Sequence, residues 1–341
     1  MARATMQHFR ARTQKSGKVY YYFDAGGKPR KEIPLGSDYV VAVRKWAELK
    51  SQHEVAEAVT TFPELADRYL RDEVILKAAS SQLTMRSDIK HLKTFFSDPS
   101  PAPLDSIRPH HIEKLLEWKK TQPTTANRLK KTFSHMFNKA RAWNYTNNAN
   151  PATGIKGFAL DKREVYVTDE VYNAVYACAA APLKDAMDLA YLTGQRPGDV
   201  LAMTERDIVD GFLQVKQHKT KTRRRIRIEG ELAKVIQRIK ARKEGYKVWS
   251  ANLTVNLRGL RLAKKTMRDM WVTARSKAAE ENPKLRESIL EFWFYDLRAK
   301  AADDVADKHD EQAAANLLGH GSVAITKKHY LRKGRIVGPT K

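Results

Sequence analysis

Two arginines, a histidine and a tyrosine in the second half of the chain stand in settings that restrict where their side chains point. Arg196 lies in Thr193-Gly194-Gln195-Arg196-Pro197-Gly198-Asp199, between a glycine suited to end a helix and a proline suited to start one. Its guanidinium therefore belongs to a rigid turn. Arg298 closes Phe294-Tyr295-Asp296-Leu297-Arg298, beside the aromatic run Phe292 to Tyr295. His320 follows a glycine in Leu317-Leu318-Gly319-His320, and Tyr330 comes ten residues later. Planar guanidinium forks hold phosphate oxygens in bidentate fashion, so residues of these types suit charge developing on a phosphate. Taken singly, each also fits an ion-paired arginine, a core histidine or a surface tyrosine.

Other chemistries lack their residues. There is no glycine-rich phosphate loop ending in Gly-Lys-Ser or Gly-Lys-Thr, no His-Glu-x-x-His helix and no Gly-x-Ser-x-Gly elbow. His309, His320 and His329 follow no common ligand spacing, and Cys178 is the sole cysteine, so no metal site, cofactor or disulfide is expected. No apolar run reaches the 18 residues of a membrane helix, and the first eight residues do not read as a secretory signal. With 42% hydrophobic and 30% charged residues, the 341-residue chain reads as globular, with two or three domains.

The net charge of +24 favours a polyanionic partner, most simply nucleic acid. The charge is striped. No acid occurs between Glu117 and Asp161, a stretch that holds Lys119, Lys120, Arg128, Lys130, Lys131, Lys139, Arg141 and Lys156. A second acid-free run, Lys216 to Arg225, includes Lys219, Lys221 and Arg223.

Three segments must position these residues. Up to residue 57, strands are expected at Phe9–Arg12, Val19–Phe23 and Lys31–Leu35, with a turn over 25–29 and a helix capped by Ser37. Arg10, Arg12, Lys28 and Arg30 decorate this small sheet. From 58 to 158 the pattern is helical. Met85, Ile89, Leu92 and Phe96 share one helix face, while Pro109 and Pro123 open further helices. The second of these helices offers Asn127, Arg128, Lys131, His135 and Asn138 on its polar face, types suited to phosphates and base edges. From 159 the reading is mixed: helices after Thr168 over 169–180 and over 183–193, then a hairpin of Phe212–Lys216 and Arg225–Ile228 around a basic loop, then mainly helices. The fold class is thus mainly α with small β-sheets.

This third segment resembles the tyrosine recombinases, the phage lambda-type integrases in particular, and the three-part order resembles them more loosely. Thr193 to Met203 resembles the family's first motif, which makes Arg196 its first catalytic arginine and Asp199 the supporting acid. Asp207 to Val215 followed by Lys219-Thr220-Lys221 resembles the hairpin that carries the catalytic lysine; Lys219 is favoured and Lys221 is the runner-up. Arg298 matches the second arginine, His320 the histidine of the Leu-Gly-His box, and Tyr330 the nucleophile. Two departures stand out. Tyr295 occupies the position where the family most often has histidine, and one more residue than usual separates His320 from Tyr330.

The resemblance implies an enzyme that cuts and rejoins DNA through a 3′-phosphotyrosyl link, without metal or nucleotide. It implies an arm-type DNA-binding module over 1–57, a helical core-site domain over 58–158 and a catalytic domain over 159–341. The implied partners are double-stranded attachment sites, three further copies of the chain in a tetramer, and an accessory bending or directionality protein. The implied location is the cytoplasm of a bacterial host, at its nucleoid. A DNA-binding regulator or decayed integrase without catalysis, or a type IB topoisomerase-like activity, are the alternatives.

Overall fold

The computed structural model describes residues 6–26, 30–57, 60–334 and 339–340, with 51–57 as backbone alone. Lys28, in the expected 25–29 turn, lies outside the described residues, as do positions 335–338 of the C-terminal tail. The chain divides into two compact units, 1–160 and 161–341. Among the described residues the protein is mainly helical, with two three-stranded sheets.

In the first unit, β1 (Phe9–Thr13), β2 (Val19–Asp24) and β3 (Glu32–Gly36) form an antiparallel sheet in sequence order. Helix α1 (Tyr39–Glu57) packs on it through Ala42, Trp46 and Leu49, against Phe23 and Leu35. Asp38, rather than the expected Ser37, caps this helix, its Oδ1 accepting from the Val41 N–H at 2.9 Å. Only the residue next to the first helical turn can reach those free N–H groups.

Helices α2 (Phe62–Asp72), α3 (Ala79–Phe95), α4 (Pro109–Trp118) and α5 (Pro123–Ala142) complete the unit. The α3 face is Ile89 and Leu92, continued by Phe96. Phe133 of α5 is the centre of the core, stacked against Phe96 at 5.2 Å and Phe62 at 5.7 Å.

The second unit begins with α6 (Asp169–Cys178), capped by Thr168, and α7 (Ala181–Thr193). Both helix ends shift slightly from expectation, because Pro182 is accommodated in the first turn of α7, where no N–H is needed. Helix α7 buries Leu183, Ala186, Met187, Leu189 and Ala190, so it runs through the middle of the core. Gly194, in the left-handed region at φ 63°, ends it, and α8 (Pro197–Val200) restarts the chain after Arg196. Strands β4 (Ile208–Val209), β5 (Phe212–Lys216) and β6 (Arg223–Arg227) follow.

Strand β6 starts two residues before the expected Arg225, pairing Arg223 with Lys216. Arg223, Arg225 and Arg227 face solvent while Arg224 and Ile226 turn inward. Three consecutive arginines carry no polarity contrast, so the alternation was hidden. The remaining helices are α9 (Gly230–Glu244), α10 (Lys264–Glu281), α11 (Arg286–Glu291), α12 (Asp296–Lys308), α13 (Glu311–Leu318) and α14 (Val323–His329). Helix α12 is buried along most of its first two turns, where the alanines at 299, 301 and 302 allow close approach.

Truncating the ring at the centre of the first unit tests this packing. Phe133→Ala is expected to destabilise the unit by about 3 to 5 kcal/mol, read by urea unfolding, because the aromatic contacts on both sides are lost together.

Candidate active site

Arg298 is 1% exposed, on the first turn of α12. Its Nη1 donates to the Gly194 carbonyl at 2.5 Å and its Nη2 to the Leu318 carbonyl at 2.8 Å. These acceptors are the ends of α7 and α13, where carbonyls lack helical partners. One guanidinium thereby joins the Arg196 turn to the His320 turn.

Gln217 makes the second joint. It is fully buried just beyond β5 and donates from Nε2 to the Leu318 carbonyl at 2.8 Å and to Gln195 Oε1 at 2.7 Å. Its Oε1 accepts from Arg196 Nη1 at 3.2 Å and Thr220 Oγ1 at 2.7 Å. Gly319 is required here: at φ 73° it ends α13 in the left-handed region, and a Cβ would meet Gln217 Nε2 at 2.9 Å. Asp199, nearly buried, accepts from the His218 N–H at 2.8 Å and so braces the start of the hairpin loop. The role of Gln217 was not read from the sequence. The signal was present, since Leu213, Val215 and Gln217 all turn inward with the period of a strand.

His320 contacts both sides of the site. Arg298 Nη2 lies 3.2 Å from its Nε2, and an arginine can only donate, so Nε2 accepts and the ring proton sits on Nδ1. Nδ1 then donates to Thr326 Oγ1 at 2.8 Å. Burial, followed by the charges of Arg298 and Arg196, pushes the imidazole down to about 4, so it is neutral at physiological pH. Thr326 was also missed; it is four residues before Tyr330 on α14 and hence on the same face.

Tyr330 follows α14 and is 7% exposed, its ring 4.9 Å from that of His320 and 5.2 Å from the Arg298 guanidinium carbon. Its hydroxyl lies 2.6 Å from the hydroxyl of Tyr295. The two phenols are shifted in opposite directions. Burial, with the hydrogen bond to Tyr330, pushes Tyr295 up to about 12. Burial also acts to raise Tyr330, but the Tyr295 hydrogen bond and the charges of Arg298 and Arg196 outweigh it, and the net direction is down. Tyr330 is therefore the phenol that more readily ionises, and toward its phenolate Tyr295 is the donor.

These groups open onto one cavity of about 690 Å³, lined by Arg196, Lys219, Tyr295, His320, Tyr330 and, at its rim, Arg163 and Arg332. Lys221 lines a separate hollow with Asp199 and His218. Lys219 and Lys221 lie on opposite sides of a tight loop, Lys221 in the left-handed region at φ 60°. Such a cationic cavity can hold a phosphate, with a phenol set beside it. Arg223 is exposed on β6.

In the first unit, Arg10 and Arg30 flank Asp24 at 3.0 and 2.5 Å, and Arg12 pairs with Glu32 at 2.8 Å. On α5, Arg128 binds the buried Asp88 at 2.8 Å, Lys139 pairs with Glu73 at 2.6 Å, and Lys131 and Arg141 are exposed. Three residues of the polar face also find partners within the unit, His135 and Asn138 while remaining exposed. Asn127 binds the backbone of Phe158, His135 binds the Tyr69 hydroxyl at 2.6 Å, and Asn138 accepts from Asn150 at 2.9 Å. The backbone returning past α5 at Phe158 needs partners, and the Asn127 amide supplies them.

The family model described as the phage integrase family matches residues 165–335. The chain is 28% identical over 217 residues to the integrase of Enterobacteria phage 434, and 27% over 216 residues to that of Escherichia phage lambda. Each match covers 59% of this chain and about 60% of the relative's length. Among solved structures, a lambda integrase dimer bound to a COC′ core site matches with a TM-score of 0.72 at 21% identity, covering 100% of this chain and 99% of that one. A lambda integrase tetramer bound to a Holliday junction matches at 0.71 and 22%, with the same coverage. These likenesses show the fold. No helix among the described residues is long and apolar enough to cross a membrane.

The neutral His320 has a consequence for stability. Its folded-state pKa lies near 4 and an unfolded histidine titrates near ~6.5, so the unfolded chain binds more protons between those values. Its contribution is thus fully retained above about pH 6.5 and lost as pH falls toward 4. Urea unfolding of His320→Gln and the parent chain across pH 4 to 7 is expected to show a smaller acid loss in the variant.

Proposed function

The chain belongs to the phage integrase family, and from that premise we propose that it is a site-specific DNA recombinase that cleaves and rejoins duplex DNA through a 3′-phosphotyrosyl intermediate. The observation that carries this reading is the convergence of Arg196, Lys219, Tyr295, His320 and Tyr330 on one cationic cavity, with Arg298 immediately beneath.

The reaction starts with a scissile phosphate held by Arg196 and Arg298, whose guanidinium groups match two non-bridging oxygens. The phosphate competes for the Arg298 Nη2 that now faces His320. The imidazole is neutral, so it contributes a hydrogen bond rather than charge. Donation from Nε2 requires its proton to shift from Nδ1, and the Thr326 hydroxyl can then donate to Nδ1. Tyr330 gives up its hydroxyl proton to solvent and attacks phosphorus as the phenolate, its O–P bond forming as the bond to the 5′-oxygen breaks. Lys219 protonates the departing 5′-oxygen. The phosphotyrosyl ester conserves the diester bond, so the reverse attack by a 5′-hydroxyl reseals DNA without a nucleotide. Asp199 supports the hairpin that carries the lysine.

Tyr295 cannot act as histidine does, because a phenol pushed up to about 12 keeps its proton. Its single O–H donates to Tyr330, stabilising the phenolate form, or turns to a phosphate oxygen once Tyr330 is esterified.

The same reading gives residues 159–341 the catalytic role, 58–158 core-site binding and 1–57 arm-type binding. Arg10, Arg12, Lys28 and Arg30 in the first module, Arg128, Lys131, Lys139 and Arg141 on α5, and Lys221 and Arg223 on the hairpin contact DNA phosphates or base edges. The partners are duplex attachment sites, other copies of the chain in a tetramer, and an accessory bending or directionality protein, in a bacterial cytoplasm.

Covalent capture on a nicked duplex, which prevents religation, tests the proposal. Tyr330→Phe is expected to abolish the covalent band on a denaturing gel while duplex binding persists; a persisting band sinks the assignment. Lys219→Ala should slow cleavage severely and be rescued by a 5′-bridging sulfur, which leaves without a proton. Rescue of Lys221→Ala instead would reverse the choice of lysine. Tyr295→Phe should slow single-turnover cleavage about five- to 150-fold, as expected for one lost hydrogen bond to a charged group of roughly 1 to 3 kcal/mol. It should also move the rate profile to higher pH, because the hydrogen bond that lowers the Tyr330 pKa is gone. An unshifted profile would refute the donor role.

A further inference from the structure

Asp296, the residue after Tyr295, is fully buried and accepts four hydrogen bonds. Arg163 donates from Nε at 2.8 Å and Nη2 at 2.5 Å, Arg332 from Nη1 at 2.6 Å, and the Trp293 N–H at 2.8 Å. The Arg163 guanidinium also stacks on the Trp293 ring at 3.9 Å, and Arg332 Nη1 reaches the Val165 carbonyl at 2.9 Å. One carboxylate therefore gathers three stretches of chain: the segment leading into α6, the start of α12, and the residues just after Tyr330.

A second carboxylate completes the hold. Asp303 Oδ1 accepts the backbone N–H groups of Arg332 and Lys333 at 2.9 and 3.1 Å. Asp296 and Asp303 are seven residues apart on α12, hence on one face of the helix that also carries Arg298. On the other side of Tyr330, its own N–H donates to the Thr326 carbonyl at 2.8 Å. The tyrosine is thus held on one side by α14 and on the other by α12, the helix bearing the phosphate-binding arginine. A buried carboxylate needs only one cation for neutrality, and here it takes two, both lining the cavity.

We propose that Asp296, Arg332 and Arg163 are positioning residues that hold Tyr330 in the cavity of its own subunit, and that Arg163 couples the segment leading into α6 to the nucleophile. The proposal rests on the recombinase reading, in which Tyr330 attacks the phosphate. It also accounts for the extra residue between His320 and Tyr330, since the register is set by the clamp behind the tyrosine rather than by spacing alone.

The test uses the full chain with Arg332→Met and Arg163→Met, which keep side-chain bulk; Asp303→Asn is the further variant in case either misfolds. Hydrogen exchange without DNA reads the hold directly, and exchange at residues 330–333 should accelerate in each variant. Single-turnover cleavage is then measured on nicked duplexes selected by covalent capture from a random-sequence pool. At saturating duplex, the Met variants should cleave about 10- to 100-fold more slowly, the cost of a nucleophile displaced by an ångström, with half-saturation unchanged. Arg332→Lys, which keeps one charged hydrogen bond, should recover part of the rate. A purely structural role would instead move half-saturation and thermal midpoint along with the rate, and that result overturns the proposal. So does unchanged exchange, or faster exchange with an unaltered cleavage rate. Failure of the parent chain to form any covalent complex is a different result: it removes the recombinase reading, and this role with it.

Discussion

The site depends on a buried positive charge that has no carboxylate partner among the described residues. Arg298 is satisfied by two carbonyls and an imidazole, and its Nε finds no acceptor. Carbonyl dipoles solvate a guanidinium without neutralising it, so the charge stays available to an incoming anion. Burial and the neighbouring Arg196 hold its pKa below the usual arginine range, yet no base within reach can take its proton. Because the carbonyls belong to the ends of α7 and α13, the need to satisfy the guanidinium also assembles the site.

That unpaired charge shapes every titratable neighbour. Burial and then this charge depress His320, so the imidazole is neutral, and against burial the Tyr295 hydrogen bond and then this charge draw Tyr330 toward ionisation. Tyr295 sits beside the same arginines but is governed by burial and by donating to Tyr330. Two like phenols thereby acquire unlike roles from position alone. Had histidine occupied position 295, a second titrating imidazole would face the nucleophile; the phenol confines the site to a fixed donor.

Opposite charges do a different job on the far side of α12. There Asp296 and Asp303 serve chain geometry, gathering Arg163, Arg332 and three backbone N–H groups. One helix thus separates two electrostatic functions: an uncompensated cation toward the site, and toward the chain segments around it a carboxylate, Asp296, compensated by two arginines. The small residues of its first turns make this possible, since only a slim helix can be approached closely on several sides.

Much was legible in the residues themselves. The acid-free stripes implied a polyanionic partner, and local punctuation located the turns at Arg196 and His320, because glycine and proline act within their own few residues. Apolar spacing gave the helices of both units their faces for the same reason. What stayed hidden depended on groups brought together from distant positions. Nothing local distinguishes Lys219 from Lys221, yet a left-handed residue at Lys221 sends the two side chains to different hollows. On the polar face of α5, Asn127 is claimed by the backbone of Phe158, 31 residues away. The Tyr295–Tyr330 bond spans 35 residues and the Arg163–Asp296 pair 133. The sequence by itself determined which chemical groups were present and which local turns would display them. Their pairing, and with it the direction of each pKa shift, was decided by tertiary structure, since Coulomb and desolvation effects depend on distance in space and not on distance along the chain.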